Sequence, residues 1–229
     1  MTPMRLLWAA VLAGAVAAGS PTSVTPSTPA ETGVIRGRVV VAASPRLGER
    51  PAVNDLAARR HDPVDRRRSV VYLEEARLKA FDDVRAGRAR MDQRGEQFWP
   101  RILAITVGTI VDFPNNDTTF HNVFSLSRTV PFDLGRYKPG KSGSVVFNRA
   151  GPVPVFCDIH SHMSAYILVF SHPFFTVTNA EGQYSIPNVP AGSYTVIVWS
   201  ELGRAQPRRV TLATGDVVEA DFHIGRDGS

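Results

Sequence analysis

The chain has 229 residues, of which 43% are hydrophobic, and 26 Lys and Arg against 21 Asp and Glu give a formal net charge of +5 at pH 7. This length suits one large or two small domains, and the hydrophobic content is high enough for a packed core. The single cysteine excludes an internal disulfide framework.

The first 18 residues have the pattern of a secretory signal peptide. Arg5 gives a positive start, residues 6–18 are apolar, and small residues that permit cleavage occupy positions 15–19. The alternative is an uncleaved anchor, but a spanning helix normally needs about 20 apolar residues. We therefore expect cleavage near Ala17 or Ala18, a periplasmic or secreted protein, and no transmembrane segment in the mature chain.

Residues 19–33 are rich in Pro, Thr and Ser and predict a disordered linker. Strands are expected at Val34–Ala42 and Val70–Glu74, separated by a polar, arginine-rich insertion.

Basic residues crowd positions 59–94. They indicate either a solvated insertion, which we favour, or a surface for an acidic partner or anionic lipid. Helix formers at 75–90 predict a short surface helix.

From Met91 onward the sequence changes to short β segments separated by Gly, Pro and Asn, which is typical of a β-sandwich. The turn Lys138–Gly143 fits a hairpin connection. A second series of alternating segments and turns begins near residue 175 and predicts another small antiparallel module. The expected segments of the first series are Arg101–Val107, Thr109–Phe113, His121–Ser125, Ser144–Asn148, Val153–Cys157 and Ser164–Phe170.

The residues with the clearest chemical signal are Cys157, His160, His162 and Met163, joined by His121 upstream. Two imidazoles and a thiolate with a weak axial thioether form the ligand set of a blue-copper electron-transfer site. The alternative for a lone cysteine is burial as a small apolar residue. Because a free thiol in an oxidising compartment is open to oxidation, its position among histidines and a methionine favours a metal.

Four motifs occur in the order found in one known family: Phe98–Pro100, Val107–Asp117, His121–Ser125 and Cys157–His160. Residues 90–172 thereby resemble the plastocyanin-like cupredoxins. The resemblance implies a Greek-key sandwich with one copper ion per chain. It implies His121, Cys157 and His160 as equatorial ligands, with Asn122 bracing the ligand loops from outside the coordination sphere.

One spacing departs from that family. Only two residues separate His160 from Met163, which is similar to the binuclear copper loop of cytochrome oxidase subunit II. That loop carries two cysteines, so a binuclear centre is excluded here. We expect Met163 to be the axial ligand, with core packing as its alternative. His162 is a possible additional ligand, or else a surface histidine that faces a partner.

Residues 176–186 and 189–196 resemble the carboxypeptidase regulatory-like domain, a transthyretin-like sandwich. The first strands of that domain have counterparts at Gly33–Val39 and Val70–Leu73. We therefore expect an all-β chain in which residues 34–74 and 175–229 build one sandwich. The cupredoxin module is predicted to be inserted between them.

The sequence favours an exported mononuclear copper protein that carries single electrons and is not an enzyme. The expected partner is a cytochrome or another oxidoreductase, reached through the edge of His160. Nucleic acid is not expected, since no aromatic residues are interleaved with the basic ones. Copper delivery or storage, a small copper enzyme, and a structural adaptor with a degenerate site remain alternatives.

Overall fold

The computed structural model describes residues 32–42, 67–74 and 86–225. These residues form nineteen β-strands and no α-helix, which confirms the expected all-β class. Among them no helix is long and apolar enough to cross a bilayer. The predicted signal peptide at 1–18, the linker up to residue 31, the insertion at 43–66 and residues 75–85 lie outside the described part of the chain.

Ten strands between residues 88 and 170 form the first sandwich. They are β3 (Arg88–Arg90), β4 (Asp92–Gln93), β5 (Phe98–Trp99), β6 (Ile102–Thr106), β7 (Thr109–Pro114), β8 (His121–Ser125), β9 (Phe132–Tyr137), β10 (Ser142–Phe147), β11 (Gly151–Phe156) and β12 (Ser164–Phe170). One sheet has the order β6-β12-β11-β8-β9 and the other β10-β7-β3, while β4 pairs with β5.

The core of the first sandwich lies between its two sheets. Along β7 the side chains alternate between buried and partly exposed, as expected for a strand with one face on a core. Val111 and Phe113 of that strand share an apolar cluster with Val123, Val155 and Ile167 of the opposite sheet. This core ends at Cys157 and Met163, which belong to the same cluster.

Nine strands form the second sandwich. They are β1 (Thr32–Val41), β2 (Val70–Glu74), β13 (Phe175–Val177), β14 (Gln183–Pro190), β15 (Gly192–Ser200), β16 (Gly203–Arg204), β17 (Arg208–Leu212), β18 (Val217–Glu219) and β19 (Phe222–Ile224). One sheet contains β14, β1, β18 and β19, and the other contains β13, β2, β15, β16 and β17.

The strands that precede residue 75 pair with strands that follow residue 174. β1 lies antiparallel to β14 and parallel to β18 and β19, and β2 lies between β13 and β15. Ile35 and Ile186 from one sheet pack with Leu73, Val196 and Leu212 from the other. The two ends of the described chain therefore share one core.

Gly182 lies in the turn before β14 and has a φ of +80°. A Cβ atom at this position would overlap the carbonyl oxygen of Val39 in β1. The Gly182 carbonyl in turn accepts a hydrogen bond from the Val39 N–H at 2.8 Å. Glycine is required here both by the left-handed backbone and by the close approach of β1.

The two sandwiches meet at an apolar contact. Ile102 and Leu168 of the first sandwich form a buried cluster with Val70 of the second, and Trp199 packs against it. Tyr166 and Trp199 also face each other with ring centroids 5.0 Å apart. The two sandwiches therefore share a buried apolar interface.

Three local expectations differ from the structure. The first strand begins at Thr32, so it takes the last two residues assigned to the linker. Arg88–Arg90 is a strand beside β7, not the end of a helix, because the pairing edge of β7 outweighs the helical propensity of a short segment. The turn at residues 138–141 joins β9 and β10, which belong to different sheets and do not form a hairpin.

Candidate metal centre

His121 begins β8 and is completely buried. Its Nε2 lies 3.0 Å from Oδ2 of Asp117, in the turn that precedes the strand. The Asp117 carboxylate also accepts hydrogen bonds from the backbone N–H groups of Glu96 at 2.7 Å and Thr118 at 2.9 Å. With one ring nitrogen fixed in this way, Nδ1 of His121 points into the site.

The loop of residues 157–163, called the metal loop below, connects β11 to β12. Phe156 and Ser164 pair across its base. Inside it, the Cys157 N–H donates to the Met163 carbonyl at 3.2 Å, and the Met163 N–H donates to the His160 carbonyl at 2.9 Å. These hydrogen bonds satisfy backbone groups that the strands do not pair, so the loop has a defined shape.

Three donor atoms converge where this loop meets β8. The Nδ1 atoms of His121 and His160 are 3.1 Å apart, and Sγ of Cys157 is 3.9 Å from each of them. A cation in the plane of these atoms, about 2.0 Å from each nitrogen and about 2.3 Å from the sulfur, would set the nitrogen–nitrogen distance near 3.5 Å and each sulfur–nitrogen distance near 3.7 Å. The three side chains therefore fit a single metal ion at their centre.

The surroundings of Cys157 favour its thiolate. Burial opposes ionisation, but contact with His121 and the backbone N–H groups of Asn122, Ile159 and His160 outweighs it and lowers the pKa of the thiol to about 6. The pKa of His121 is raised: burial opposes protonation, while Cys157 and Asp117 favour it more strongly. The thiolate is the form of cysteine that binds metals.

Met163 and His162 occupy different surroundings. Met163 is 1% exposed and lies in the apolar cluster that contains Cys157. His162 lies outside the group of three donor atoms. Its Nε2 is 3.3 Å from a carboxylate oxygen of Glu96, and its ring centroid is 6.1 Å from that of His160.

Asn122 lies directly behind the site. Its side-chain amide donates to Asp133 Oδ1 at 2.7 Å, which ties β8 to β9, while its backbone N–H is directed at the Cys157 sulfur. His172 is buried against Phe174, whose N–H donates to its Nδ1 at 3.1 Å. His223 is exposed in β19, and His61 lies outside the described residues.

The metal loop and the residues next to its histidines include several exposed apolar side chains. His160 is partly exposed, whereas His121 is not. Phe120 is 54% exposed, Ile159 39% and Phe156 37%. Asp158 of the same loop pairs with Arg136 at 2.9 Å, and both side chains are exposed, so this end of the first sandwich presents apolar side chains beside one ion pair.

The sequence did not single out Asp117 or Glu96 as site residues. The available signal was the carboxylate four residues before His121, since ligand histidines usually donate their second ring nitrogen to an acceptor. Glu96 cannot be found in this way, because it reaches the site only through the folding of β4 and β5.

Residues 164–225 match the family model of the carboxypeptidase regulatory-like domain, which is one of the two resemblances noted in the sequence. No curated protein sequence matches the chain.

Several solved structures are similar to part of the chain. The copper-containing nitrite reductase from Thermus scotoductus SA-01 is 26% identical, with 36% of this chain and 22% of the reductase covered and a TM-score of 0.35. A purple cupredoxin from Nitrosopumilus maritimus is 23% identical over 36% of this chain and 99% of its own, with a TM-score of 0.33. An oxidized amicyanin mutant is 22% identical over 39% of this chain and 88% of its own, with a TM-score of 0.35. This chain thus spans about a fifth of the reductase and most of the two small proteins.

Proposed function

We propose that this protein is an exported mononuclear copper protein that carries one electron at a time. The observation that supports this most directly is the convergence of His121 Nδ1, His160 Nδ1 and Cys157 Sγ within 4.8 Å of one another. No other group of three or more His, Cys, Asp or Glu side chains in the described ranges has this arrangement.

The donor set favours copper over zinc. A structural zinc site takes four strong ligands, and a catalytic one takes three and a water molecule. Here two imidazoles and one thiolate are joined by the buried thioether residue Met163, which we propose as the weak axial ligand. Imidazole suits copper(II), while thiolate and thioether suit copper(I), so bound copper would supply one-electron redox chemistry.

The protein residues hold this donor set nearly rigid. Asp117 fixes the ring of His121, and the internal hydrogen bonds of the metal loop fix Cys157 relative to Met163. Backbone N–H groups directed at the Cys157 sulfur withdraw charge from it, which is one means of setting a reduction potential. A centre that changes little between its two redox states exchanges electrons with a small reorganisation cost.

The proposed route for the electron is the exposed edge of His160. Phe120, Phe156 and Ile159 are exposed and precede His121, Cys157 and His160 in the sequence, and we propose that they exclude water when a partner docks. We propose a redox protein as the partner, such as a cytochrome or another oxidoreductase. We also propose that the protein is exported to the periplasm or the cell exterior, that it binds one copper ion per chain, and that it has no enzymatic activity.

We further propose that the first sandwich is an insertion within the second. The pairing of β1 and β2 with strands after residue 174 supports this organisation. The second sandwich then serves as a frame for the metal-binding module.

A second candidate function is copper delivery or storage. It is favoured by His162, which lies beside His160 and is about one-third exposed. To act as a transfer ligand through its Nε2, which is buried 3.3 Å from a Glu96 carboxylate oxygen, His162 would have to leave that carboxylate.

Titration of the metal-free protein with copper(II), followed by visible and electron-spin spectra, tests the proposal. We expect one equivalent of copper to produce an intense sulfur-to-copper band and a reversible one-electron wave. His121→Gln is expected to abolish the band, whereas His223→Gln, which alters an exposed histidine of the second sandwich, should leave it intact.

Three results would contradict this assignment. A tightly held, colourless copper(I) form would favour delivery, and failure to bind stoichiometric copper would favour a structural adaptor. A Cys157→Ser variant that retained the visible band would refute the ligand set itself.

A further inference from the structure

Between the two sandwiches lies a buried ion pair. Arg101 immediately precedes β6, and Glu201 lies in the turn between β15 and β16. Arg101 Nε is 2.7 Å from Glu201 Oε1, and Nη2 is 2.8 Å from Oε2. Their side chains are only 10% and 11% exposed, so the fork-to-fork geometry is shielded from water.

The other side of the same guanidinium contacts the base of the metal loop. Nη1 of Arg101 donates to the Ser164 carbonyl at 2.7 Å, and Nη2 lies 3.3 Å from Ser164 Oγ. Ser164 follows Met163 directly and pairs with Phe156, which directly precedes Cys157. Arg101 therefore binds the chain at the point where both ends of the metal loop meet.

The two sets of contacts depend on each other. A guanidinium removed from water needs a counter-charge, and Glu201 is the carboxylate that supplies it. Without that carboxylate, the Arg101 guanidinium lowers its free energy by turning towards solvent, where water hydrates its charge. That movement breaks its hydrogen bonds to Ser164. The rings of Tyr166 and Trp199 also face each other between the two sandwiches, but apolar packing is not directional and cannot replace a hydrogen bond to one carbonyl.

We propose that Glu201, acting through Arg101 and Ser164, is a positioning residue by which the second sandwich fixes the metal loop. The spectroscopic part of this inference rests on the proposed copper function, while the structural part does not. The second sandwich thereby contributes to the metal centre without supplying a ligand.

Hydrogen exchange of the metal-free protein tests the structural part. In Glu201→Gln we expect the amides of Cys157 and Met163 to exchange about tenfold faster, the order expected when a charge-assisted hydrogen bond is lost. Glu219→Gln is the matched control. It removes one carboxylate from the same sandwich but breaks only the exposed pair with Arg36, whose side chains are 56% and 66% exposed, so loop exchange should stay at the wild-type rate.

A second variant separates positioning from stability. Arg101→Met combined with Glu201→Leu removes both charges and keeps most of the volume, and such replacements usually leave a protein folded. We expect the same faster exchange in the loop and, with copper bound, a shifted sulfur-to-copper band and reduction potential, whereas a purely structural role would leave both unchanged.

The inference is overturned if either variant folds and its loop amides exchange at the wild-type rate. Because exchange is measured without metal, a failure to bind copper would refute the proposed function and leave this result standing. Wild-type exchange together with a normal copper site would refute only the positioning role of Glu201 and Arg101.

Discussion

Asp117 links the backbone of one turn to the orientation of one imidazole. Its carboxylate accepts two backbone N–H groups and faces Nε2 of His121. Burial opposes its ionisation, but the Glu96 N–H and His121 outweigh that effect, and the pKa of Asp117 is lowered. The carboxylate is thus ionised at neutral pH, where it can fix the ring that presents Nδ1 to the metal.

Replacing Asp117 by Asn should therefore weaken copper binding about tenfold or more, as expected for an outer-sphere partner of a ligand histidine. A competition titration against a chelator of known affinity measures the change. Asp112→Asn is the control, since Asp112 binds Arg88 and Ser144 on another face of the same sandwich. Equal affinities for the two variants would show that Asp117 does not orient the ligand.

At this scale the sequence predicted the convergence of His121, Cys157 and His160 because their chemistry is rare in combination. A thiol that accompanies two histidines in a chain predicted to be exported is most simply interpreted as a metal ligand. Arg101 and Asp117 could not be found in the same way. Arginine and aspartate are common surface residues, and what makes these two important is burial and the approach of Ser164 or His121, which only the fold determines.

Gly182 determines how the turn before β14 packs on β1. We expect Gly182→Ala to destabilise the protein by more than about 2 kcal/mol, because it adds left-handed strain and a clash with the Val39 carbonyl. Gly140→Ala provides the comparison. Its φ is +77°, yet nothing lies within 4 Å of the added atom, so only the strain of about 1 kcal/mol remains.

Urea denaturation followed by tryptophan fluorescence measures both glycine variants. A loss at position 182 no larger than that at position 140 would mean that β1 can move away from the turn.

Elements with a regular alternation were predictable, and those fixed by distant partners were not. β12 has the expected bounds of Ser164–Phe170, since a long apolar run between polar turns has one reasonable interpretation. β3 has only three residues and exists because β7 offers it a pairing edge. The turn after β9 passes to the other sheet, which no local pattern in residues 138–141 encodes.

At the scale of the whole molecule, the apolar contact between the sandwiches should couple their stabilities. If copper binds only the folded first sandwich, as proposed, it will raise the melting temperature of that sandwich. We expect calorimetry to show that the second sandwich follows this rise, because unfolding it would expose Leu168 and Ile102 to water.

Leu168→Ala should weaken this coupling, since removing a buried leucine costs about 2–5 kcal/mol and here the loss falls on the interface. Leu212→Ala removes a similar side chain from the interior of the second sandwich. It should lower the melting temperature of that sandwich but preserve its response to copper. The interface would not be the coupling element if both variants responded equally.

The position of β1 also sets an order of events during synthesis. β1 takes its partners from β14, β18 and β19, the last of which is Phe222–Ile224. On emerging from the ribosome or an export channel, this strand has an open edge and no partner until β14 (Gln183–Pro190) has been made. The intervening sandwich is complete earlier and can fold first, which shortens the effective loop that must close. A truncated or stalled chain would keep the first sandwich but leave an unpaired edge strand, which is a template for aggregation.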